Sequence, residues 1–269
     1  MPNINELSAK DLGQNYLLLG TNGTGKSALY MTLPGKKFIY FFDPHAKKTI
    51  ASKFPGADLT FEEFLPTKLD VRHTAIAKKG VGRVQSLNPP DAFRRWEDHW
   101  MESLDNGFFD QFDCICVDGM SMWQKYALLE IVHNAGRGGH PPELADRNVL
   151  AVGLFNFAAT FTSLGKTVFL VVHYDYKQDI VTGRMLNLPL IVGQEKTYLN
   201  NMFGHVLVAQ CQSTQNEIKY AIQTRPDTLN PNSRTSFNNL DMFHDVTIKN
   251  FSKPEEYGLG KILKEQGLL

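Results

Sequence analysis

Along the chain, short apolar runs alternate with longer stretches of helical periodicity. Runs of four to six apolar residues predict strands at Tyr16–Leu19, Lys37–Phe42, Phe112–Val117, Thr167–Val172 and His205–Gln210. Between them the pattern predicts helices over Lys26–Thr32, Pro90–Leu104, Met122–His133 and Arg147–Leu164. Strand and helix in alternation imply an α/β fold with a mostly parallel sheet flanked by helices. Past Gln210 the rhythm changes. "EIKYAIQTR" predicts a strand antiparallel to Val206–Gln210, and "PDTLNPNSRTSFNNL" is turn-rich and predicts a surface loop. The expected organisation is one domain over residues 1–250, ending in an antiparallel extension. A short amphipathic tail follows over 251–269 and is expected to pack on the domain.

Composition adds few constraints. The 269 residues suffice for a sizeable core, and 42% hydrophobic with 21% charged content is ordinary for a globular protein. Lys plus Arg balance Asp plus Glu at 28 each, so any nucleic-acid contact must come from local loops rather than a global field. Cys114, Cys116 and Cys211 sit in apolar stretches without metal spacing and predict buried free thiols. Phe41, Phe42, Phe155, Phe157, Phe161 and the three tryptophans read as core. No run approaches the length of a membrane span, and "MPNINELSAKDLGQN" lacks a signal-peptide core, so a cytoplasmic location is expected.

The chemistry is concentrated in "YLLLGTNGTGKSALYMTL". Gly20-Thr21-Asn22-Gly23-Thr24-Gly25-Lys26-Ser27 fits G-x-x-x-x-G-K-[ST] between a predicted strand and a predicted helix. Glycines let the backbone turn so that its N–H groups, on to Ala28, point at phosphates. Lys26 reaches the β- and γ-phosphates, and Ser27 can ligate Mg²⁺. The implied ligands are ATP and Mg²⁺. In "FDCICVDGMSMW" a strand ends in Asp118, where an open α/β sheet binds ligands, which makes Asp118 the second candidate metal residue. A further strand, "KTVFLVVHYD", ends in His173, placed to touch a γ-phosphate.

These residues, in this order, resemble the RecA-like branch of P-loop ATPases. The match includes "KFIYFFDPH" ending in Asp43, and Ser121 shortly after Asp118. Within that branch, the chain is similar to phage-encoded RecA-like nucleotide-binding proteins linked to single-strand annealing and recombination. The segments "LPLIVGQEKTYLNNMFGHVLVAQ", "YAIQTR" and "NSRTSFNNL" carry the second half of that likeness, which spans about residues 15–240. The resemblance implies that the strand ending in His173 lies between the phosphate-loop strand and the Asp118 strand. It also implies single-stranded DNA as partner, a ring or filament of identical subunits, a possible single-strand-binding protein, no membrane, and the host cytoplasm as location.

Two loops occupy the DNA-holding positions of the RecA-like recombinases. Asn134–Arg147 carries Arg137, His140 and Arg147, while Tyr174–Glu195 carries Tyr174, Tyr176, Lys177 and Arg184. Lys196, Arg225 and Arg234 are candidates for a cation reaching a neighbouring subunit's γ-phosphate. The sequence departs from the branch at the catalytic base. Gly119 stands directly after Asp118, where many P-loop ATPases have glutamate, and His45 stands where RecA has its own. Asp43 is the nearest carboxylate and is expected to orient the attacking water, with His45 assisting and Glu62 and Glu63 as outside candidates. A weak base argues for slow hydrolysis. A P-loop phosphotransferase, a non-catalytic nucleotide-gated assembly protein and a DNA-packaging motor are the competing readings.

Overall fold

The computed structural model describes residues 13–67, 90–180, 183–192, 195–214 and 217–269, and the side chains of these except at 195–197. An eight-stranded sheet forms its centre. In chain order the elements are β1 (Asn15–Leu19), α1 (Lys26–Leu29) running into a 3₁₀ turn (Tyr30–Thr32), β2 (Lys37–Phe41), α2 (Pro44–Lys53) and β3 (Leu59–Glu63). Next come α3 (Ala92–Asp105), β4 (Cys114–Asp118), α4 (Met120–Val132), α5 (Leu144–Thr162) and β5 (Thr167–Val172). A separate hairpin of β6 (Tyr174–Gln178) and β7 (Met185–Pro189) follows, then α6 (Glu195–Met202), β8 (His205–Ser213), β9 (Ile218–Gln223), β10 (Phe243–Asp245) and α7 (Gly258–Glu265).

The strand order is β10-β9-β8-β1-β5-β4-β2-β3. The strands from β8 to β3 run parallel, and β9 and β10 add antiparallel at one edge. The His173 strand β5 lies between β1 and the Asp118 strand β4, the placement that the resemblance implies. β2 and β4 are buried at every position, as expected of parallel strands covered on both faces.

Alternate residues of each strand enter different cores. Leu17, Leu19, Phe38 and Tyr40 join Trp96, Trp100, Trp123 and Phe157 under α3, α4 and α5. Tyr16, Leu18, Ile39 and Phe41 face Leu29, Ile50, Leu259 and Ile262, where α1, α2 and α7 pack. The tail helix is held by the Leu259 amide, which donates to Thr32 Oγ1 at 2.9 Å.

Several expectations change. α5 begins at Leu144 rather than Arg147, because Glu143 and Asp146 form a reciprocal capping box. Neither α2, polar with three lysines, nor β3, an edge strand largely exposed, shows the periodicity that reveals buried elements. Phe155 is not core: it stands 48% exposed on the outer face of α5. Cys211 is exposed on the outer half of β8, whereas Cys114 and Cys116 are buried neighbours on β4. The Pro226–Leu240 loop is tied down by buried polar groups. Asn230 Nδ2 donates to Gln223 Oε1, and the Asn187 amide of the hairpin donates to Asn230 Oδ1. Among the described residues, no helix is long and apolar enough to cross a membrane.

Candidate functional site: a phosphate loop facing an apolar wall

The loop after β1 closes over the C-terminal edge of the sheet. Gly23 and Gly25 take positive φ, 78° and 81°, a region closed to most side chains. Gly20 is required by space: an added Cβ would lie 2.6 Å from Thr24 Oγ1. Inside the loop, Thr24 Oγ1 donates to the Thr21 carbonyl, and the Lys26 ammonium donates to the same oxygen. α1 is a single turn before the 3₁₀ geometry begins. The loop's own N–H groups and Lys26, rather than a long helix dipole, therefore supply the positive field for an anion.

The cleft above this loop measures about 470 Å³, within the range of small-molecule sites. Lys26, Ser27, Asp43, His45, Asp118 and His173 all line it, together with Asn22–Gly25 and Ala28. Asp118 is 4% exposed at its floor. Burial raises its carboxyl above the ordinary range, while hydrogen bonds from Ser27 and Tyr30 and the charge of Lys26 pull it back down. The Tyr30 hydroxyl donates to Asp118 Oδ2 at 3.0 Å. Burial pushes Lys26 down to about 8, with Asp118 and Asp43 opposing. Ser27 and Asp118 place two hard oxygen donors beside the loop, a set suited to Mg²⁺. These two residues would hold the ion, which when bound neutralises phosphate charge.

His173 is held from both ends. Its amide donates to Ser121 Oγ at 3.1 Å, and its ring donates to the Gly20 carbonyl. Burial and the nearby Lys26 lower its pKa, so the imidazole is neutral at pH 7. Asp43 both caps α2, accepting from the His45 amide at 2.9 Å, and faces the cleft. Gly119 explains why no glutamate follows Asp118. Its φ is +102°, and a Cβ there would lie 2.9 Å from the Asp43 amide nitrogen.

The far side of the cleft is apolar: Ala209, Tyr220, Ile222, Val246, Ile248 and Phe251. Tyr220 lies flat enough on the loop that a Cβ at Gly25 would come within 2.9 Å of its ring. Sequence reading missed this wall and missed Tyr30. The signals were present, since Tyr220 and Ile222 share one face of β9 by strand alternation, and Tyr30 stands three residues after Ser27.

The remaining candidates are dispersed. Arg137, the last residue of the π-type turn His133–Arg137, pairs with Asp146 and, at 3.2 Å, with Glu143. Arg147 is exposed in the first turn of α5. Tyr174 is half-buried and shares a hydrogen bond with Thr21 of the phosphate loop, and burial raises it to about 12. Its ring meets that of Tyr176 edge-on at 5.6 Å, and Tyr176 and Lys177 are exposed on β6. Arg184 is exposed at the start of the returning arm, where its carbonyl accepts from the Asp179 amide. Arg225 donates to the Leu240 carbonyl at 3.0 Å, and Arg234 donates to the Asn200 and Phe203 carbonyls. Lys196 belongs to α6, and its side chain lies outside the described residues. Glu63 pairs with Lys47 at 2.8 Å.

No protein-family profile and no curated protein sequence matches the chain. Among solved structures it is similar to the flagellar accessory protein FlaH from Methanocaldococcus jannaschii: 11% identity, 90% of this chain, 88% of that chain, TM-score 0.43. It is also similar to a KaiC-like protein from Pyrococcus horikoshii: 12% identity, 90% of this chain, 88% of that chain, TM-score 0.44.

Proposed function

We propose that the chain binds ATP with Mg²⁺ and hydrolyses it slowly, with single-stranded DNA as the partner that speeds turnover. The observation that carries the nucleotide reading is one cleft holding both a phosphate loop and an apolar wall. Phosphates suit the loop N–H groups and Lys26, and a nucleobase suits the Tyr220 wall. Asp43 is the carboxylate left to orient water, because the position after Asp118 is sterically shut. Hydrolysis then rests on positioning and charge more than on a strong base.

The DNA half of the proposal rests on the resemblance and on the β6–β7 hairpin. That hairpin leaves β5 directly after His173 and presents Tyr176 and Lys177 to solvent, an aromatic surface for bases beside a cation for phosphates. Phage recombination, annealing or replication is the setting this implies. A neighbouring subunit of a ring or filament would add a cation, with Lys196 preferred because Arg225 and Arg234 already serve their own chain's carbonyls.

The test is ATP turnover with and without single-stranded DNA, using Lys26→Ala as the blank. Stimulation that disappears in Tyr176→Ala/Lys177→Ala, with ATP affinity unchanged, supports both halves. Turnover without stimulation removes DNA from the proposal. ATP binding without turnover favours a second reading, a nucleotide-gated assembly protein, for which the glycine at 119 is the specific observation.

A further inference from the structure

A helix that is apolar all round is normally buried all round. α5 breaks this rule. From Asn148 to Gly165 the chain carries no charged residue. One side of the helix packs Leu150, Leu154, Phe157 and Phe161 into the core. The opposite side leaves Leu144 74%, Val149 58%, Val152 62% and Phe155 48% exposed, with the uncharged Asn148 and Asn156 exposed among them. Gly153, next to Val152, sits mid-helix with nothing within 4 Å of where a Cβ would lie. Glycine there weakens the helix by roughly 1 kcal/mol relative to alanine, and no neighbour among the described residues requires it.

We propose that the outer face of α5 is the interface of a two-fold homodimer, in which two copies of α5 pack antiparallel with Val152 near the axis. Charge selects a second copy as the occupant. Near a two-fold axis each residue meets its own counterpart, so a charge there would meet its like. Every position from 148 to 165 avoids that repulsion. Antiparallel packing also sets the two helix dipoles head to tail. The four exposed apolar side chains carry on the order of 400 Å², as large as the main apolar patch of a typical monomer. Two copies remove about twice that from water, and the surrounding rim brings the total towards the ~1,200 Å² of a small specific interface.

The other occupant to exclude is the chain's own start. Gly13 packs against the Lys166 carbonyl, just past the C-terminal end of α5.

Light scattering on the purified full-length protein at micromolar concentration reads the mass, with and without Val149→Glu/Val152→Glu. The expected result is a dimer that the double substitution converts to a monomer, with ATP binding unchanged and the concentration dependence of the thermal midpoint lost. Cross-linking in a Cys211→Ser background gives an independent reading. Under mild oxidation Val152→Cys should form an intermolecular disulfide, whereas Leu144→Cys should not, because its two copies stand about 24 Å apart at 1.5 Å per residue. A monomeric wild type overturns the proposal, as does a dimer that survives the double substitution. So does a protein that dimerises through α5 only after residues 1–12 are deleted, which would make the N-terminus the natural cover.

Discussion

The Tyr30 hydroxyl and the Asp118 carboxylate meet at 3.0 Å beneath the phosphate loop, both fully enclosed by the protein. The pair shows how the site holds an anion where burial opposes one. Burial raises the Asp118 carboxyl, and Ser27, Tyr30 and Lys26 together pull it back towards the ionised form. An acid with a raised folded-state pKa destabilises the fold at every pH above that value, and the penalty is relieved as the pH falls towards the unfolded value. Asp118→Asn should therefore raise the thermal midpoint of the nucleotide-free protein at pH 7. Mg²⁺-dependent turnover should fall to the blank. Tyr30→Phe should act on turnover in the same direction but less, raising the Mg²⁺ concentration needed for half-maximal turnover several-fold. Thermal melts and a Mg²⁺ titration check both.

Lys26 gives the pH dependence. Its ammonium titrates near 8 in the free protein because burial disfavours the charge. A depressed lysine pKa means the folded state holds fewer protons than the unfolded state between about 8 and 10.5. Lys26 therefore makes the free protein more stable as the pH rises through that window. Nucleotide binding runs the other way, since phosphates require the charged form. ATP affinity should be flat below pH 7 and weaken up to tenfold per unit above 8, with proton uptake on binding. Calorimetry in two buffers of different ionisation heat measures that uptake directly. Lys26→Arg should abolish the slope.

The apolar wall makes a separable contribution. Tyr220→Ala should weaken ATP binding roughly 5- to 50-fold, as expected for loss of a stacking ring, while inorganic tripolyphosphate binding stays within about twofold. Equal weakening of both ligands would mean that Tyr220 only braces Gly25, against which it packs.

Arg137 was a candidate for DNA contact, and the structure gives its guanidinium to Asp146 and Glu143. The hydrogen bond from Arg137 and the Glu143 amide hold the Asp146 carboxyl below the ordinary range. A depressed acid stabilises the fold above its unfolded pKa, and that contribution is lost as pH falls through the folded value. Arg137→Ala should therefore lower the thermal midpoint at pH 7, with the difference from wild type shrinking as both are acidified below pH 4. A mutant that loses DNA affinity with an unchanged melt would reassign Arg137 to the interface.

The sequence made the centre of this protein readable and left its margins obscure, for physical reasons. β1, β2, β4 and β5 are buried on both faces, so continuous apolar runs announced them. The phosphate loop was legible because its backbone geometry admits few residue types, as Gly20 and Gly25 show. α2 and β3 carry little buried surface and left no period to read. The wall from Tyr220 to Phe251 assembles across β9 and the segment after β10, a proximity that only the antiparallel pairing creates. Arg225 and Arg234 looked like free cations because sequence does not reveal which carbonyls lie within reach.

Asp43 has two duties, which one substitution separates. It caps α2 through the His45 amide and presents its carboxylate to the cleft. Asparagine caps a helix as well as aspartate does, so Asp43→Asn keeps the cap and removes only the carboxylate proposed to orient water. Its thermal midpoint should stay within about 2 °C of wild type, equivalent to roughly 0.5 kcal/mol. ATP affinity should change less than about threefold, and turnover should fall about 100-fold, the typical share of a positioned base. Restoring glutamate after Asp118 should not rescue it. Gly119→Glu places a side chain at φ +102° against the Asp43 amide, and the expected result is a destabilised protein without added turnover. Single-turnover hydrolysis on the two variants decides the matter: normal turnover in Asp43→Asn, or rescue by Gly119→Glu, moves the base away from Asp43.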